Sequence, residues 1–259
     1  MSAAAPASPG HGLLAGKTVV VTAAAGTGIG YATARRCAEE GAAVLLSDLH
    51  ERRLHEAAGR LEQETGVRAV VSLCDVTQQA QVDALVAAGI AAWGHIDVLV
   101  NNAGLGGFAP LVEMRDEQWA KVLDVTLTGT MRMTRAVLPH MLERRSGAIV
   151  NNASVLGWRA QEGQAHYAAA KAGVMALTRC VAMEVAKSGV RVNAVAPSLA
   201  MHEFLAKVTP PGLLEELERR EALGRAATPT EIANVIVFLA SELASYLTGE
   251  VVSVSSQHP

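Results

Sequence analysis

The stretch VTAAAGTGIG, residues 21–30, decides the fold because it joins an apolar, β-branched run to a helical pattern. Glycines at a strand-to-helix turn let backbone N–H groups approach a phosphate, and the helix N-terminus favours its negative charge. Gly26, Gly28 and Gly30 suit that role, although Tyr31 stands where the G-x-G-x-x-G pattern has its third glycine. The loop alone leaves two interpretations open, a cofactor cradle and a tight turn.

Apolar runs alternate with helical patterns almost to the C-terminus. The runs are nearly continuous in hydrophobicity, which is typical of strands buried on both faces. This alternation predicts right-handed crossovers and an α/β fold, a doubly wound parallel sheet with helices on both faces. We predict seven strands, at Lys17–Thr22, Ala43–Asp48, Arg68–Cys74, Ile96–Asn101, Ala148–Asn152, Val190–Ala194 and Glu250–Val254. The predicted helices are Ile29–Glu40, Glu51–Thr65, Thr77–Trp93, Arg115–Arg144, Tyr167–Lys187 and Thr230–Ala240, the last introduced by Thr228 and Pro229.

The chain is expected to form one domain because no linker or repeat divides it. Residues 1–13, rich in Ala, Pro and Ser, are predicted to be a flexible arm before a catalytic domain over 14–259. Residues 197–225 interrupt the strand–helix alternation, and a short helix is expected around Leu213–Glu221. Such an insertion is either a lid over the substrate, which we favour, or a disordered loop.

Composition narrows the class of protein. Of the 259 residues, 50% are hydrophobic, and the net charge of −3 gives no indication of a nucleic acid or anionic membrane partner. The three cysteines lack metal-ligand or redox spacing, so we predict no metal site. The N-terminus does not resemble a secretory signal, and no apolar run is long enough to cross a bilayer. We expect a soluble, cytoplasmic protein.

Asp48 strengthens the cofactor interpretation. It ends the second predicted strand, about twenty residues after the glycines, where an acidic side chain accepts from a ribose 2′-OH and repels a 2′-phosphate. The alternative is a solvated aspartate at a strand end. Arg52 and Arg53 follow closely, but at the start of a helix they are interpreted as surface charges. The sequence therefore favours NAD over NADP.

Two further strand ends carry polar residues at the same edge of the predicted sheet. Asp75 follows the third strand, where it either contacts an adenine edge or caps the helix that begins near Thr77. VNNAG ends the fourth strand, and its turn of Asn102, Ala103 and Gly104 either passes the cofactor or is purely structural. Their position favours a role in binding.

The chemistry is concentrated in NNASVLGWRAQEGQAHYAAAKAG, residues 151–173. Tyr167 and Lys171 are four residues apart, so they share one face of a helix. A nearby ammonium group favours a phenolate and would lower the tyrosine pKa toward a useful acid–base range. Ser154, just past the fifth strand, can donate to a substrate oxygen. The alternative is a solvated helix face, since such pairs are common.

Together the glycine-rich loop, NNAG and the Ser–Tyr–Lys spacing resemble the short-chain dehydrogenase/reductase family, from about Leu14 to the C-terminus. The resemblance implies a Rossmann-type fold and hydride transfer between NAD and an alcohol or ketone. It also implies that Tyr167 is the acid/base, that Lys171 lowers its pKa and holds the nicotinamide ribose, and that Ser154 orients the substrate oxygen. The implied cofactor-binding residues are Ala24, Gly26, Thr27, Gly28, Ile29, Gly30, Asp48, Leu49, Asp75, Val76, Asn102, Ala103, Gly104, Tyr167, Lys171, Pro197 and Ser198.

Four departures from the family pattern stand out. The glycine-rich loop is one residue longer, with Ala24 replacing the first glycine. Thr126, counted among the catalytic residues, replaces the asparagine of the family's proton relay and puts that relay in doubt. Ser198 replaces a glycine, His202 aligns with a threonine that holds the carboxamide, and the last strand ends in VSVSSQHP.

VTAAAGTGIG, NNASVLGWRAQ and the SQHP ending also resemble actinobacterial enzymes of steroid catabolism. Those enzymes oxidise a ring hydroxyl on a hydrindane coenzyme A thioester to the ketone, and the wider family implies a homotetramer. The alternatives are a 3-oxoacyl thioester reductase of fatty-acid type, which normally prefers NADPH, and a non-catalytic nucleotide-binding scaffold. The candidate substrate contacts are Leu156, Trp158, Gln161, Gln164 and His202.

Overall fold

Seven parallel strands form a single sheet in the computed structural model, which describes residues 10–201 and 212–256. The strands are β1 (Thr18–Val21), β2 (Ala43–Asp48), β3 (Val70–Leu73), β4 (Val98–Asn101), β5 (Gly147–Asn152), β6 (Val190–Pro197) and β7 (Val251–Val254). Their order is β3-β2-β1-β4-β5-β6-β7, and every pair is parallel. The predicted doubly wound sheet is therefore confirmed.

Helices cover both faces of the sheet. They are α1 (Ile29–Glu39), α2 (Glu51–Thr65), α3 (Gln79–Trp93), α4 (Asp116–Leu123), α5 (Gly129–Arg144), α6 (Ala165–Val185), α7 (Leu213–Arg220) and α8 (Pro229–Ala240). The core has one cluster between the sheet and α1, α2 and α8, and another between the sheet and α3, α5 and α6. Because both faces are covered, the central strands are buried and their hydrophobicity runs without alternation, whereas the edge strands β3 and β7 are only half-buried.

The strand order reverses at β1, which lies between β2 and β4. At such a point the loops after the two neighbouring strands run to opposite faces and leave a crevice outside their carboxyl ends. The glycine-rich loop follows β1, and the Asn102–Gly104 turn follows β4. The topology thus brings both predicted cofactor segments to one crevice.

Several local predictions need correction. The helix predicted over Arg115–Arg144 is interrupted by a π-helical segment at Asp124–Thr128, which separates α4 from α5. Gln78, not Asp75, precedes α3 as its N-cap residue. Tyr167 is the third residue of α6 rather than its first. The start of α8 is as predicted, since Thr228 and Glu231 form a capping box before Pro229.

The described part of the predicted arm lies against the end of α1. The N–H groups of His11 and Leu13 both donate to Glu40 Oε2, at 2.8 and 2.9 Å, and Leu14 is fully buried. Residues 1–9 of the arm lie outside the described residues.

The predicted lid returns to the domain through short main-chain pairing. Ala227 N–H donates to Leu199 O at 2.8 Å, and Met201 N–H donates to Ala227 O at 2.9 Å. The helix expected around Leu213–Glu221 is α7. The remainder of the lid, residues 202–211, lies outside the described residues. None of the helices described is both long and apolar enough to cross a membrane.

Candidate active site

The glycine-rich loop is held to the ends of β2 and β4. Thr22 Oγ1 accepts from the N–H groups of Asn102 and Ala103, at 2.9 and 3.0 Å. Ala24 N–H donates to Ser47 O at 2.9 Å. The loop contains two positive φ angles, +50° at Ala23 and +143° at Gly26. An alanine in the left-handed region is uncommon, so the backbone here is constrained by its neighbours.

Gly30 is required for packing. A Cβ added there would lie 2.2 Å from Ala23 O and 2.5 Å from Asn102 Nδ2. No side chain caps α1, because its N-cap residue is Gly28. The N–H groups of the first turn of α1, which begins at Ile29, therefore receive no hydrogen bond from an N-cap side chain, and such groups favour an anion.

Asp48 lies at the end of β2 and is 7% exposed. Its Oδ2 accepts from Ala25 N–H at 3.2 Å, and its Oδ1 accepts from His50 N–H at 3.0 Å. Burial raises the pKa of this carboxyl above its ordinary value, while the Ala25 N–H and the Arg53 charge oppose the rise. The carboxylate thus joins the glycine-rich loop to β2, and the neighbouring Leu49 is 58% exposed.

Asp75 and Val76 shape the turn after β3. Asp75 Oδ1 accepts from the N–H and Oγ1 of Thr77, at 2.9 and 2.8 Å. These bonds make a turn upstream of α3. Val76 is buried and packs closely on Gly129, where a Cβ would lie 2.6 Å from Val76 Cγ2.

Ser154, Tyr167 and Lys171 come together at the carboxyl end of β5. The Tyr167 hydroxyl is hydrogen-bonded to the Ser154 side chain. Lys171 Nζ lies 5.5 Å from the centroid of the Tyr167 ring and donates to Asn152 O. Ser154 Oγ also accepts from Leu156 N–H at 3.2 Å, which fixes the turn that carries it. The three predicted catalytic side chains therefore form one cluster.

The pKa values of this cluster differ from the sequence expectation. Burial raises the pKa of Tyr167 to about 12, opposed by the Ser154 hydrogen bond. Burial also lowers the pKa of Lys171 to about 8. In the protein alone, desolvation disfavours the charged form of both groups. The lowering of the tyrosine pKa by Lys171 stays a prediction for the cofactor-bound site.

Thr126 lies in the π-helical segment and is fully buried. Its Oγ1 accepts from Leu105 N–H at 2.9 Å and donates to Leu105 O at 3.1 Å. A Cβ at Gly104 would lie 3.8 Å from this oxygen and 3.5 Å from Lys171 Nζ. The hydroxyl thus fixes the loop that borders Lys171. π-Helical segments are frequent at functional sites.

Four of the five predicted substrate residues lie between Ser154 and the start of α6. Leu156, Gln161 and Gln164 are half-buried, whereas Trp158 is 43% exposed. His202 lies outside the described residues. Pro197 ends β6, and Ser198 N–H donates to Val254 O at 3.2 Å. Ser198 also lines a cavity of about 200 Å³ between the end of the chain and the base of the lid, together with Glu221, Arg225 and Ser256.

Three residues at the site were missed from the sequence. Gly157 lets the Ser154 turn pack on α6, since a Cβ there would lie 2.6 Å from Met175 Cε. His166 is buried beside Tyr167, and burial lowers its pKa. Arg60 donates to Gly26 O and lies 3.6 Å from the centroid of the Tyr31 ring. Only His166 carried a sequence signal, its adjacency to the predicted acid/base.

These residues fit a nicotinamide dinucleotide. The uncapped α1 N-terminus offers N–H groups for a pyrophosphate, and Asp48 lies where a ribose hydroxyl would meet an acceptor. The buried Lys171 ammonium and the Tyr167 hydroxyl lie at the other end of the same crevice. The crevice thus offers N–H donors for the phosphates, a carboxylate acceptor for a ribose hydroxyl, and an ammonium group at the catalytic cluster.

Comparison with known proteins agrees with this geometry. The family model described as enoyl-(acyl carrier protein) reductase matches residues 23–256. The chain is 61% identical over 251 residues to the (5R,7aS)-5-hydroxy-7a-methyl-1-oxo-2,3,5,6,7,7a-hexahydro-1H-indene-carboxyl-CoA reductase of Mycobacterium tuberculosis, covering 96% of each chain. It is 40% identical to the 3-oxoacyl-(acyl-carrier-protein) reductase FabG of Thermotoga maritima, covering 93% of this chain and 97% of the relative. A crystal structure of a short chain dehydrogenase from Mycobacterium smegmatis superposes with a TM-score of 0.89 at 55% identity, covering 100% and 99%.

Proposed function

Because this chain belongs to the short-chain dehydrogenase/reductase family, we propose that it transfers a hydride between NAD and the ring carbinol or ketone of a hydroxy-methyl-oxo-hexahydroindene-carboxyl-CoA. This is a step in steroid ring degradation. The choice of substrate is supported by the 61% identity to the M. tuberculosis reductase over 96% of both chains. The chemistry rests on the Ser154–Tyr167–Lys171 cluster.

The reaction needs a proton acceptor, a group that orients the substrate oxygen and a cation nearby. In the oxidative direction Tyr167 as phenolate takes the proton of the substrate hydroxyl, and in the reductive direction the phenol returns it to the carbonyl oxygen. Ser154 donates to the same oxygen. A bound nicotinamide cofactor supplies the hydride acceptor or donor and, when oxidised, a positive charge.

Lys171 has two roles in this proposal. Its ammonium group would donate to hydroxyls of the nicotinamide ribose, and its charge would favour the Tyr167 phenolate. The pKa of Tyr167 is raised to about 12 by burial in the protein alone, so positive charge is needed to bring the phenol into working range. Lys171 Nζ lies 5.5 Å from the centroid of the Tyr167 ring and is one source of that charge in the proposal.

NAD is proposed over NADP because of Asp48. Its carboxylate is buried at the end of β2 and bonded to the glycine-rich loop, so a 2′-phosphate placed there would be repelled. The remaining cofactor-binding and substrate-binding residues are proposed to have the roles expected from the sequence. Thr126 is proposed to position the loop at Leu105 by its two hydrogen bonds to that residue. We also propose that residues 197–225 form a lid over the substrate. The protein is proposed to be a homotetramer located in the cytoplasm.

A second candidate, a 3-oxoacyl thioester reductase, is supported by the 40% identity to the T. maritima protein. The two candidates differ in substrate and cofactor. The test measures initial rates of the purified protein with hydroxylated hydrindane-carboxyl-CoA esters and with 3-hydroxyacyl-CoAs, each with NAD and NADP. We expect the highest kcat/KM for the hydrindane ester with NAD. Preference for 3-hydroxyacyl-CoA with NADP would establish the second candidate, and binding of NAD without turnover on either class would indicate a scaffold.

Asp48→Ala tests the cofactor assignment separately. We expect it to raise the KM for NAD and to improve use of NADP, because the repelling carboxylate is gone and Arg53 remains close. Arg52→Ala is the matched control, since Arg52 is paired with Glu56 on the exposed face of α2. If Asp48→Ala kept the parent's ratio of kcat/KM with NAD to kcat/KM with NADP, the assignment of NAD would be contradicted.

A further inference from the structure

Two NNA segments, residues 101–103 and 151–153, end the neighbouring strands β4 and β5 in register. Successive side chains of a strand point to opposite faces. Asn101 and Asn151 accordingly face the core, where Asn101 Nδ2 donates to Asn151 Oδ1 and Asn151 Nδ2 donates to Thr178 Oγ1, both at 2.9 Å. Asn102 and Asn152 form a separate pair between the glycine-rich loop and Lys171.

The orientation of both amides in this second pair is fixed by main-chain carbonyls. Asn102 Nδ2 donates to Thr22 O at 3.2 Å and to Ala23 O at 3.1 Å, and these oxygens accept only. Asn102 Oδ1 must then face Asn152, whose Nδ2 donates to it at 2.9 Å. The remaining amide atom, Asn152 Oδ1, is therefore an acceptor and cannot be exchanged for a donor by flipping.

Asn152 Oδ1 is buried and, among the described residues, has no hydrogen-bond partner. A buried acceptor without a donor is unfavourable and calls for an explanation. Within the described part of the chain Asn101 Oδ1 is also unpartnered, but the Asn101 side chain lies in the core against Thr134 and Asn151. Asn152, unlike Asn101, lies beside the predicted cofactor segments. Its main-chain carbonyl accepts from Lys171 Nζ, and its neighbour Asn102 holds the loop after β1.

We propose that Asn152 Oδ1 accepts a hydrogen bond from the nicotinamide half of the cofactor, from a ribose hydroxyl or the carboxamide N–H. This rests on the proposed use of a nicotinamide dinucleotide. Asn152 lies between the loop that would hold the pyrophosphate and the lysine that would hold the nicotinamide ribose. It is a binding residue whose side chain also links these two parts of the crevice.

The test compares NAD with ADP, which lacks the nicotinamide half of the cofactor. The dissociation constants of both are measured by calorimetric titration of the purified protein, Asn152→Leu and Asn102→Leu. Asn152→Leu is expected to weaken NAD by about 5- to 15-fold, the effect of one lost hydrogen bond, and to change ADP by less than about 2-fold. Asn102→Leu is the control: it releases the loop and is expected to weaken both ligands alike.

Equal weakening of NAD and ADP by Asn152→Leu would overturn the inference, because the amide would then act only through Asn102 and the loop. Unchanged NAD binding would overturn it too. Should Asn152→Leu not fold, as judged by thermal unfolding, the smaller Asn152→Val replaces it in the same comparison. If the unaltered protein binds neither NAD nor ADP, the proposed function fails, which is a different result from either of these.

Discussion

Replacing Thr126 by valine removes a hydroxyl while keeping the shape of a fully buried side chain. Two hydrogen bonds to Leu105 are lost, one accepted at 2.9 Å and one donated at 3.1 Å. At about 1 kcal/mol each, the loss of stability is about 2 kcal/mol, and for a domain of this size that lowers Tm by about 4–8 °C. The freed Leu105 segment borders Lys171 and Tyr167, since a Cβ at Gly106 would lie 3.7 Å from the Tyr167 ring.

The assay for Thr126→Val combines thermal unfolding with the pH dependence of kcat/KM. If Thr126 positions the loop, KM rises and kcat/KM falls about tenfold, while the pH profile keeps its shape. Thr126→Ser retains the hydroxyl and should keep most of the Tm and most of the kcat/KM of the parent. A pH profile that changes shape in Thr126→Val while its Tm stays that of the parent would refute the positioning role and favour a proton relay through this hydroxyl.

Two further predictions follow from contacts near the site. Gly30→Ala should weaken NAD binding by at least about tenfold and lower Tm, because its Cβ would overlap Ala23 O at 2.2 Å. Gly59→Ala is its control, since nothing lies within 4 Å of the added Cβ in α2, and equal behaviour of the two proteins would contradict this prediction. The pair of Arg225 with Glu231 lowers the pKa of Glu231 to about 2. A depressed carboxyl pKa stabilises the fold above the ordinary value of 4.5 and loses that effect as the pH falls through 2. Arg225→Met should therefore lose more stability to urea at about pH 7 than at about pH 3, whereas an equal loss at both would refute the pairing.

Strand and helix patterns in the sequence predict most of the fold. β2 and α2 begin and end at the residues expected, because covered parallel strands and amphipathic helices have distinct periods. The π-helical segment at Asp124–Thr128, which separates α4 from α5, was not predicted. This segment contains Thr126, whose hydroxyl contacts Leu105, 21 residues away in sequence.

The sequence predicts which side chains lie together, Ser154, Tyr167 and Lys171, but not the pKa shifts that burial gives them. The spacing of Tyr167 and Lys171 gave their shared face, yet the pKa of each is set by burial, which depends on the whole packing around α6. The Arg60 contact with Gly26 and the Asn102–Asn152 pair connect segments 34 and 50 residues apart. Such contacts leave no local pattern in a single sequence.

Tyr167→Phe isolates the role of the tyrosine hydroxyl, because it removes one oxygen atom from the cluster and nothing else. The measurement pairs NAD affinity with single-turnover oxidation of the hydrindane ester, using the same protein preparation. We expect NAD to bind within about twofold of the parent and the rate to fall by at least about 10²-fold, the usual effect of losing a general acid–base group. Turnover at the rate of the parent would show that the proton passes through another group and would contradict the mechanism.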